Sequence, residues 1–199
     1  MDKFKVVLTD NVFSSLDIEK SMLDREGADL VEAISDKEDD IIRVASDADA
    51  LLVGYAAITK KIIESLIKCK VISRYGIGVD NIDVEAATYR GIRVTNVPDY
   101  CIEEVSNHAL GLILALARKI IPLNSTVKNG VWLYSKYKPI YRLRGKIVGL
   151  IGFGKIARNL GEKLKALGFH IITYDPYMAL DEIKKHGIEA VSLAELLKQ

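Results

Sequence analysis

The chain has 199 residues, 49% of them apolar and 28% charged, and its Lys and Arg outnumber Asp and Glu by 28 to 27. The apolar share supports a packed core and excludes a disordered chain, and the near-neutral balance leaves no overall field to draw it onto nucleic acid or an anionic membrane. Two cysteines without paired spacing, Cys69 and Cys101, read as small buried hydrophobes of a reduced, cytoplasmic protein rather than as a disulfide or metal site. The longest apolar run, Ala109 to Ala117, is too short for a membrane span, and the early strand at Val6-Val7-Leu8 leaves no room for a signal peptide.

Strands and helices alternate from the start. Lys5 to Leu8 reads as a strand, Ser15 to Glu26 as a helix, Asp29 to Ile34 as a strand and Lys37 to Ala48 as a charged helix. Ala50 to Val53 is the third strand, and Thr59 caps a helix reaching Ile67. Val71 to Tyr75, a helix from Val84 to Tyr89 stopped by Gly91, and a strand from Arg93 to Val97 ended by Pro98 complete the run. This alternation predicts a mainly parallel sheet covered on both faces, forming a first domain over residues 1–98. A long helix from Ile102 to about Ile121 follows, apolar on every face between Ala109 and Ala117 and so expected to be buried all round. Beyond Pro122, the polar and aromatic stretch Leu123 to Arg144, with Trp132, Tyr134, Tyr137 and Tyr141, reads as an arm.

The stretch Gly145 to Gly161 carries the clearest chemistry. A buried strand, Ile147 to Ile151, runs into the pattern G-x-G-x-x-A at Gly152, Gly154 and Ala157 and then into an amphipathic helix, Lys155 to Leu167, with Gly168 as its stop. Gly152 suits a tight strand-to-helix turn, a Cβ at Gly154 would obstruct a pyrophosphate, and a small residue at Ala157 lets helix and sheet approach. N–H groups around Lys155 and Ile156, at the positive end of the helix dipole, suit a diphosphate. A second strand, Ile171 to Tyr174, ends on Asp175, whose carboxylate is placed to accept from a ribose diol and to repel the 2′-phosphate of NADP. The competing reading is a plain tight turn with Asp175 capping a loop end; strand, helix, second strand and acid in register favour the dinucleotide. Leu180 to Lys185 is a further helix, Glu189 to Val191 a short strand, and Ser192 with Glu195 opens a last helix through a capping box. A complete sheet of this kind has about six strands in two halves, so residues 99–199 are expected to supply the first half, with a bare far edge.

Taken together, Ser73 to Asp83, Ala86-Ala87, Gly91 to Pro98, Val105 to Arg118, Gly130-Val-Trp132 and Gly145 to Pro176 resemble the D-isomer-specific 2-hydroxyacid dehydrogenases, including the glycerate and phosphoglycerate dehydrogenases, and are also similar to the C-terminal-binding-protein corepressors. The resemblance implies an α/β protein, a flavodoxin-like parallel-sheet substrate domain followed by the first half of a Rossmann NAD-binding domain. It implies interconversion of a small D-2-hydroxyacid and a 2-oxoacid with NAD(H). A homodimer through the 102–121 helix and the Trp132 arm is also implied, with no nucleic-acid or membrane partner. Carried over by position, Gly152, Gly154, Lys155, Ile156, Asp175 and Pro176 would meet the cofactor. The backbone N–H groups of Gly76-Ile77-Gly78 would meet the substrate carboxylate, with Tyr55 at the substrate end of the cleft. An ordinary turn at Gly76 and Gly78, and a plain surface aromatic at Tyr55, are the alternatives. The loop Val53-Gly54-Tyr55 lacks the arginine of phosphoglycerate-using relatives, while Arg74 keeps a phosphorylated substrate open. The family's catalytic arginine, glutamate and histidine have no counterpart here, since His108, His170 and His186 all lack the required context, so no catalytic residue is assigned. The chain is therefore expected to be C-terminally incomplete, to bind NAD weakly and to turn over no substrate alone. A non-catalytic NAD-binding or dimerisation module of corepressor type is the alternative; a flavodoxin-like or receiver-type signalling domain fits residues 1–98 only.

Overall fold

The computed structural model describes residues 3–199 and divides into two compact units, the first ending at Tyr100 and the second beginning at Cys101. In the first unit β1 (Phe4–Leu8), α1 (Asp17–Arg25), β2 (Ala28–Glu32), α2 (Glu38–Ala45), β3 (Ala50–Val53), α3 (Lys60–Ser65), β4 (Val71–Arg74), α4 (Val84–Tyr89) and β5 (Arg93–Thr95) alternate along the chain. The strands are all parallel, in the order β2-β1-β3-β4-β5. That is the flavodoxin-like order, whose ligands bind outside the carboxyl ends of the strands.

Burial follows the pattern of the sequence. Val7, Leu51, Val53 and Ile72 from the strands meet Ile41 and Ala45 of α2 and Ile62 and Ile63 of α3, all fully buried. Acids Glu38, Asp39 and Asp40 in the first turn of α2 suit the positive end of its dipole. The Thr59 hydroxyl accepts from the Ile62 N–H at 3.3 Å to cap α3, and Asp83 caps α4 through the Ala86 N–H at 2.9 Å. The fifth strand is shorter than the expected Arg93 to Val97 because the Val97 N–H leaves the ladder and donates to the Gly76 carbonyl at 2.9 Å.

The second unit holds α5 (Ile102–Ala117), α6 (Ile120–Lys128), a 3-10 turn (Tyr134–Tyr137), β6 (Ile147–Ile151), α7 (Lys155–Ala166), β7 (His170–Tyr174), α8 (Leu180–Lys185), β8 (Glu189–Ala190) and α9 (Leu193–Leu196). Its parallel sheet runs β6-β7-β8. Leu160 and Leu164 of α7 pack on Leu150 and Ile171, and Gly161 brings the helix close, since a Cβ there would stand 3.1 Å from Ile188 Cδ1. The capping box of Ser192 and Glu195 is present at the head of α9.

The long helix differs from expectation. It stops at Ala117, Lys119 takes a left-handed conformation (φ 57°), and α6 departs at 64°. Pro122 is accommodated in the first turn of α6, where its missing N–H costs no intrahelical bond. Nor is α5 buried all round: Ala109, Leu110 and Ile113 pack on the core, while Leu112 and Leu116 are 52% and 72% exposed. The fully buried residue of α5 is polar. Ser106 donates to Asn159 Oδ1 of α7 at 2.6 Å and accepts from Lys163 Nζ at 2.7 Å, and Lys163 also reaches Glu103 and Asn107. This cluster fastens α5 to α7 by hydrogen bonds. Among the described residues no single helix is long and apolar enough to cross a membrane; the bent pair α5–α6 passes on length and composition only.

Leu51 is fully buried in the middle strand of the first sheet. Leu51→Ala is expected to cost about 2–5 kcal/mol through lost burial and a residual cavity, read as a lowered urea midpoint with an unchanged slope.

Candidate functional site

The glycine loop is built at the carboxyl end of β6. Gly152 adopts φ +88°, a conformation open to few other residues, and its N–H donates to the Tyr174 carbonyl at 2.7 Å, carrying the β6–β7 pairing into the turn. Phe153 points inward and is fully buried, with the His186 ring edge-on at 5.5 Å. Gly154 is the N-cap of α7 and offers no side chain, so the first-turn N–H groups at Lys155 and Ile156 have neither an intrahelical acceptor nor a capping group. A Cβ built on Gly154 would meet nothing within 4 Å. The loop therefore has open space directly over the donor end of a twelve-residue helix, which fits a diphosphate.

Asp175 closes this loop from the next strand. Its Oδ2 accepts from the Phe153 N–H at 2.7 Å, and its Oδ1 from the N–H groups of Tyr177 (2.8 Å) and Met178 (3.0 Å). Those bonds, the Phe153 N–H foremost, hold the carboxyl below the ordinary aspartate range. Three of its roughly four acceptor positions are thus in use, leaving one for an external hydroxyl. Pro176 follows it, exposed.

In the first unit, a cleft of 430 Å³ opens beyond the carboxyl ends of β3 and β4, lined by Phe13, Tyr55, Arg74, Tyr75, Gly76 and their neighbours. Tyr55 is 77% exposed on the loop after β3, with the Arg74 guanidinium 5.5 Å from its ring centre. Arg74 Nη1 donates to the Tyr75 carbonyl, while its Nε is buried without a partner among the described residues. Gly76 departs from the expectation that it offers its N–H to a substrate. That group donates to the Arg74 carbonyl at 2.9 Å, and Gly76 itself is buried against the guanidinium, where a Cβ would come within 2.5 Å of Arg74 Nη1. The neighbouring N–H groups of Ile77 and Gly78 have no acceptor among the described residues, so the donors available in this loop are those two.

Tyr75 is no proton carrier at neutral pH. Its hydroxyl donates to Glu19 at 3.1 Å, and burial, with Glu19 beside it, pushes the phenol above its ordinary range. Two residues that sequence reasoning passed over hold the Tyr55 loop, namely Asp10 and Asn81. The available signal for Asp10 was its place at the end of a strand, matching Asp175.

Residues 6–194 match the family model described as D-isomer specific 2-hydroxyacid dehydrogenase, catalytic domain. The chain belongs to that family. Its sequence is 41% identical over 164 residues to a D-3-phosphoglycerate dehydrogenase of Methanocaldococcus jannaschii, covering 81% of this chain and 31% of that one. It thus spans about a third of the length of that relative. Among solved structures, the TT0316 protein of Thermus thermophilus superposes with a TM-score of 0.82 at 25% identity, over 98% of this chain and 62% of the other. An acyclic imino acid reductase (Bsp5) in complex with NADPH and D-Arg gives a TM-score of 0.82 at 26% identity with the same coverage.

Members of the hydroxyacid dehydrogenase family are oxidoreductases, and the chain has three histidines. His108 is exposed on α5, and His186 lies edge-on to Phe153 of the glycine loop. His170 lies 3.5 Å from Glu189 at the amino end of β7, the opposite end of that strand from Asp175. Among the described residues, no group of three or more His, Cys, Asp or Glu is placed to hold a metal ion.

The lowered pKa of Asp175 has a defined consequence for stability. Its stabilising effect is fully present above the unfolded value of about 3.9 and is lost as the pH falls through the folded value. Thermal melts of the wild type and Asp175→Ala between pH 6 and pH 3, on the order of the carboxylate range, are expected to converge on acidification, the variant melting lower only at the upper end.

Proposed function

We propose that this chain carries the dinucleotide loop and the 2-oxoacid-binding surface of an NAD-dependent D-2-hydroxyacid dehydrogenase of the cytoplasm. The observation that carries the reading is the conjunction at residues 152–175: open space over Gly154, the uncapped head of α7, and the Asp175 carboxylate at the end of the adjoining strand. Gly152, Gly154, Lys155 and Ile156 would hold the diphosphate, with Asp175 and Pro176 beside the adenosine ribose. The cofactor, when bound, gives or takes a hydride. Asp175 is ionised at neutral pH and would repel a 2′-phosphate, which supports NAD over NADP even though the imino acid reductase relative carries NADPH.

The substrate side rests on the cleft of the first unit. The N–H groups of Ile77 and Gly78, which follow the lining residue Gly76 without lining the cleft themselves, would receive the carboxylate of a small 2-hydroxy or 2-oxo acid, and Tyr55 would border its remainder. Arg74 is the cation of that lining. With no arginine on the Gly54–Ala56 loop, a plain acid is favoured over a phosphorylated one, in contrast to the phosphoglycerate dehydrogenase relative. No catalytic residue is assigned, and binding without turnover is the activity proposed for this chain alone. A homodimer is the fitting partner, because Leu112, Leu116, Ile121 and Trp132 leave an apolar surface on α5, α6 and the arm at 52%, 72%, 68% and 86% exposure.

Calorimetric titration tests the cofactor assignment: NAD is expected to bind more tightly than NADP, and Asp175→Ala to weaken NAD about ten- to a hundredfold. The same protein is expected to consume no NADH with glyoxylate, hydroxypyruvate or pyruvate; turnover at ordinary enzymatic rates would overturn the claim that this chain only binds. For the dimer, sedimentation of wild type and Leu116→Glu is the check, the charge being expected to shift the population to monomer.

A further inference from the structure

We infer that Asp10 is the positioning residue of the substrate cleft, setting the loop that presents Tyr55; the inference rests on the proposed 2-oxoacid reading of that cleft. Asp10 follows β1 and reaches across 44 positions of sequence to the loop after β3. Its Oδ1 accepts from the Gly54 N–H at 3.0 Å and its Oδ2 from the Tyr55 N–H at 2.5 Å, while the Thr9 hydroxyl donates to Oδ1 at 2.8 Å. From the other side Asn81 Nδ2 donates to the carbonyls of Gly54 (3.3 Å) and Ala56 (2.9 Å). The loop is gripped entirely through its backbone, donors by an acid and acceptors by an amide.

Two features make this more than a surface hydrogen bond. Charge-assisted bonds from N–H to carboxylate are about twice as strong as neutral ones, and two of them converge on one side chain. Gly54 also lacks a Cβ where one would stand 3.0 Å from Asp10 Cγ and 3.1 Å from Val12 Cγ1, so the glycine admits the acid. Asp10 does not line the cleft; it acts through Gly54 and Tyr55, which do. Asparagine cannot replace it, because its NH2 would stand where one of the two carboxylate oxygens accepts and would face an N–H donor. Three donors on one carboxylate also blunt its charge toward an anionic ligand nearby.

The test uses the full chain labelled with 15N, as wild type, Asp10→Asn, Gly54→Ala and the double variant, with pyruvate as probe. In Asp10→Asn the Gly54 and Tyr55 amide protons are expected to move upfield and to exchange at least about tenfold faster, with protection in β1 and β3 unchanged. If the competent loop is then about one-tenth populated, pyruvate affinity read at the Ile77 and Gly78 amides falls about tenfold. Gly54→Ala, which displaces the acid without removing it, is expected to give the same signature, and the double variant no more than either single one. Unmoved Gly54 and Tyr55 amides in Asp10→Asn, unchanged pyruvate affinity, or additive effects would overturn the inference. Should wild-type Ile77 and Gly78 ignore pyruvate, the 2-oxoacid reading falls by itself, and the amide exchange at Gly54 and Tyr55 decides the role of Asp10.

Discussion

Both units depend on the same interaction, a carboxylate at the end of one parallel strand accepting backbone N–H groups from the loop that leaves its neighbour. Asp10 after β1 takes the loop after β3, and Asp175 after β7 takes the loop after β6. A parallel sheet ends with its loops clustered at the carboxyl edge, where the chain leaves the ladder and its N–H groups need new acceptors. An acid supplies two oxygens at one point and so can hold a turn in a single conformation. The same edge is where ligands of open α/β sheets bind, so the device that completes the fold lies where a ligand of such a sheet would sit.

Much of the architecture was legible from the sequence because its cues are local. The strands read as short apolar runs, although β6, expected to be buried, leaves Ile147 and Ile151 42% and 67% exposed; Thr59 and Ser192 announced caps that are present, and Gly91 and Gly168 sit past helix ends with φ of +69° and +83°. The alternating order of strands and helices sufficed for a parallel sheet. What was missed depends on long-range or unsignalled geometry. Nothing in a lysine marks Lys119 for the left-handed conformation that breaks α5 from α6. Nor does an apolar run reveal which of its faces the rest of the chain covers, and Leu112 and Leu116 face outward.

The cleft divides along the same line. Tyr55 and the Gly76–Gly78 turn were identifiable as motif positions, yet the loss of the Gly76 N–H to Arg74 depends on a tight local turn that residue types do not encode. Asp10 and Asn81 belong to no contiguous pattern with the loop they hold. Their pairing exists only once β1, β3 and the segment before α4 are side by side. Fixing the backbone rather than the side chains of residues 54–56 separates the shape of this loop from the identity of its exposed residue.

Asp175 has the opposite property. One side chain stiffens the glycine loop through Phe153 and, as proposed, also meets the cofactor ribose. On the proposed reading, cofactor preference and loop rigidity are inseparable variables at this position. A redesign toward NADP that simply removes the acid would also release the turn over which the diphosphate must lie. Retargeting this fold would first require a second, uncharged acceptor for the Phe153 N–H, installed before the charge is taken away.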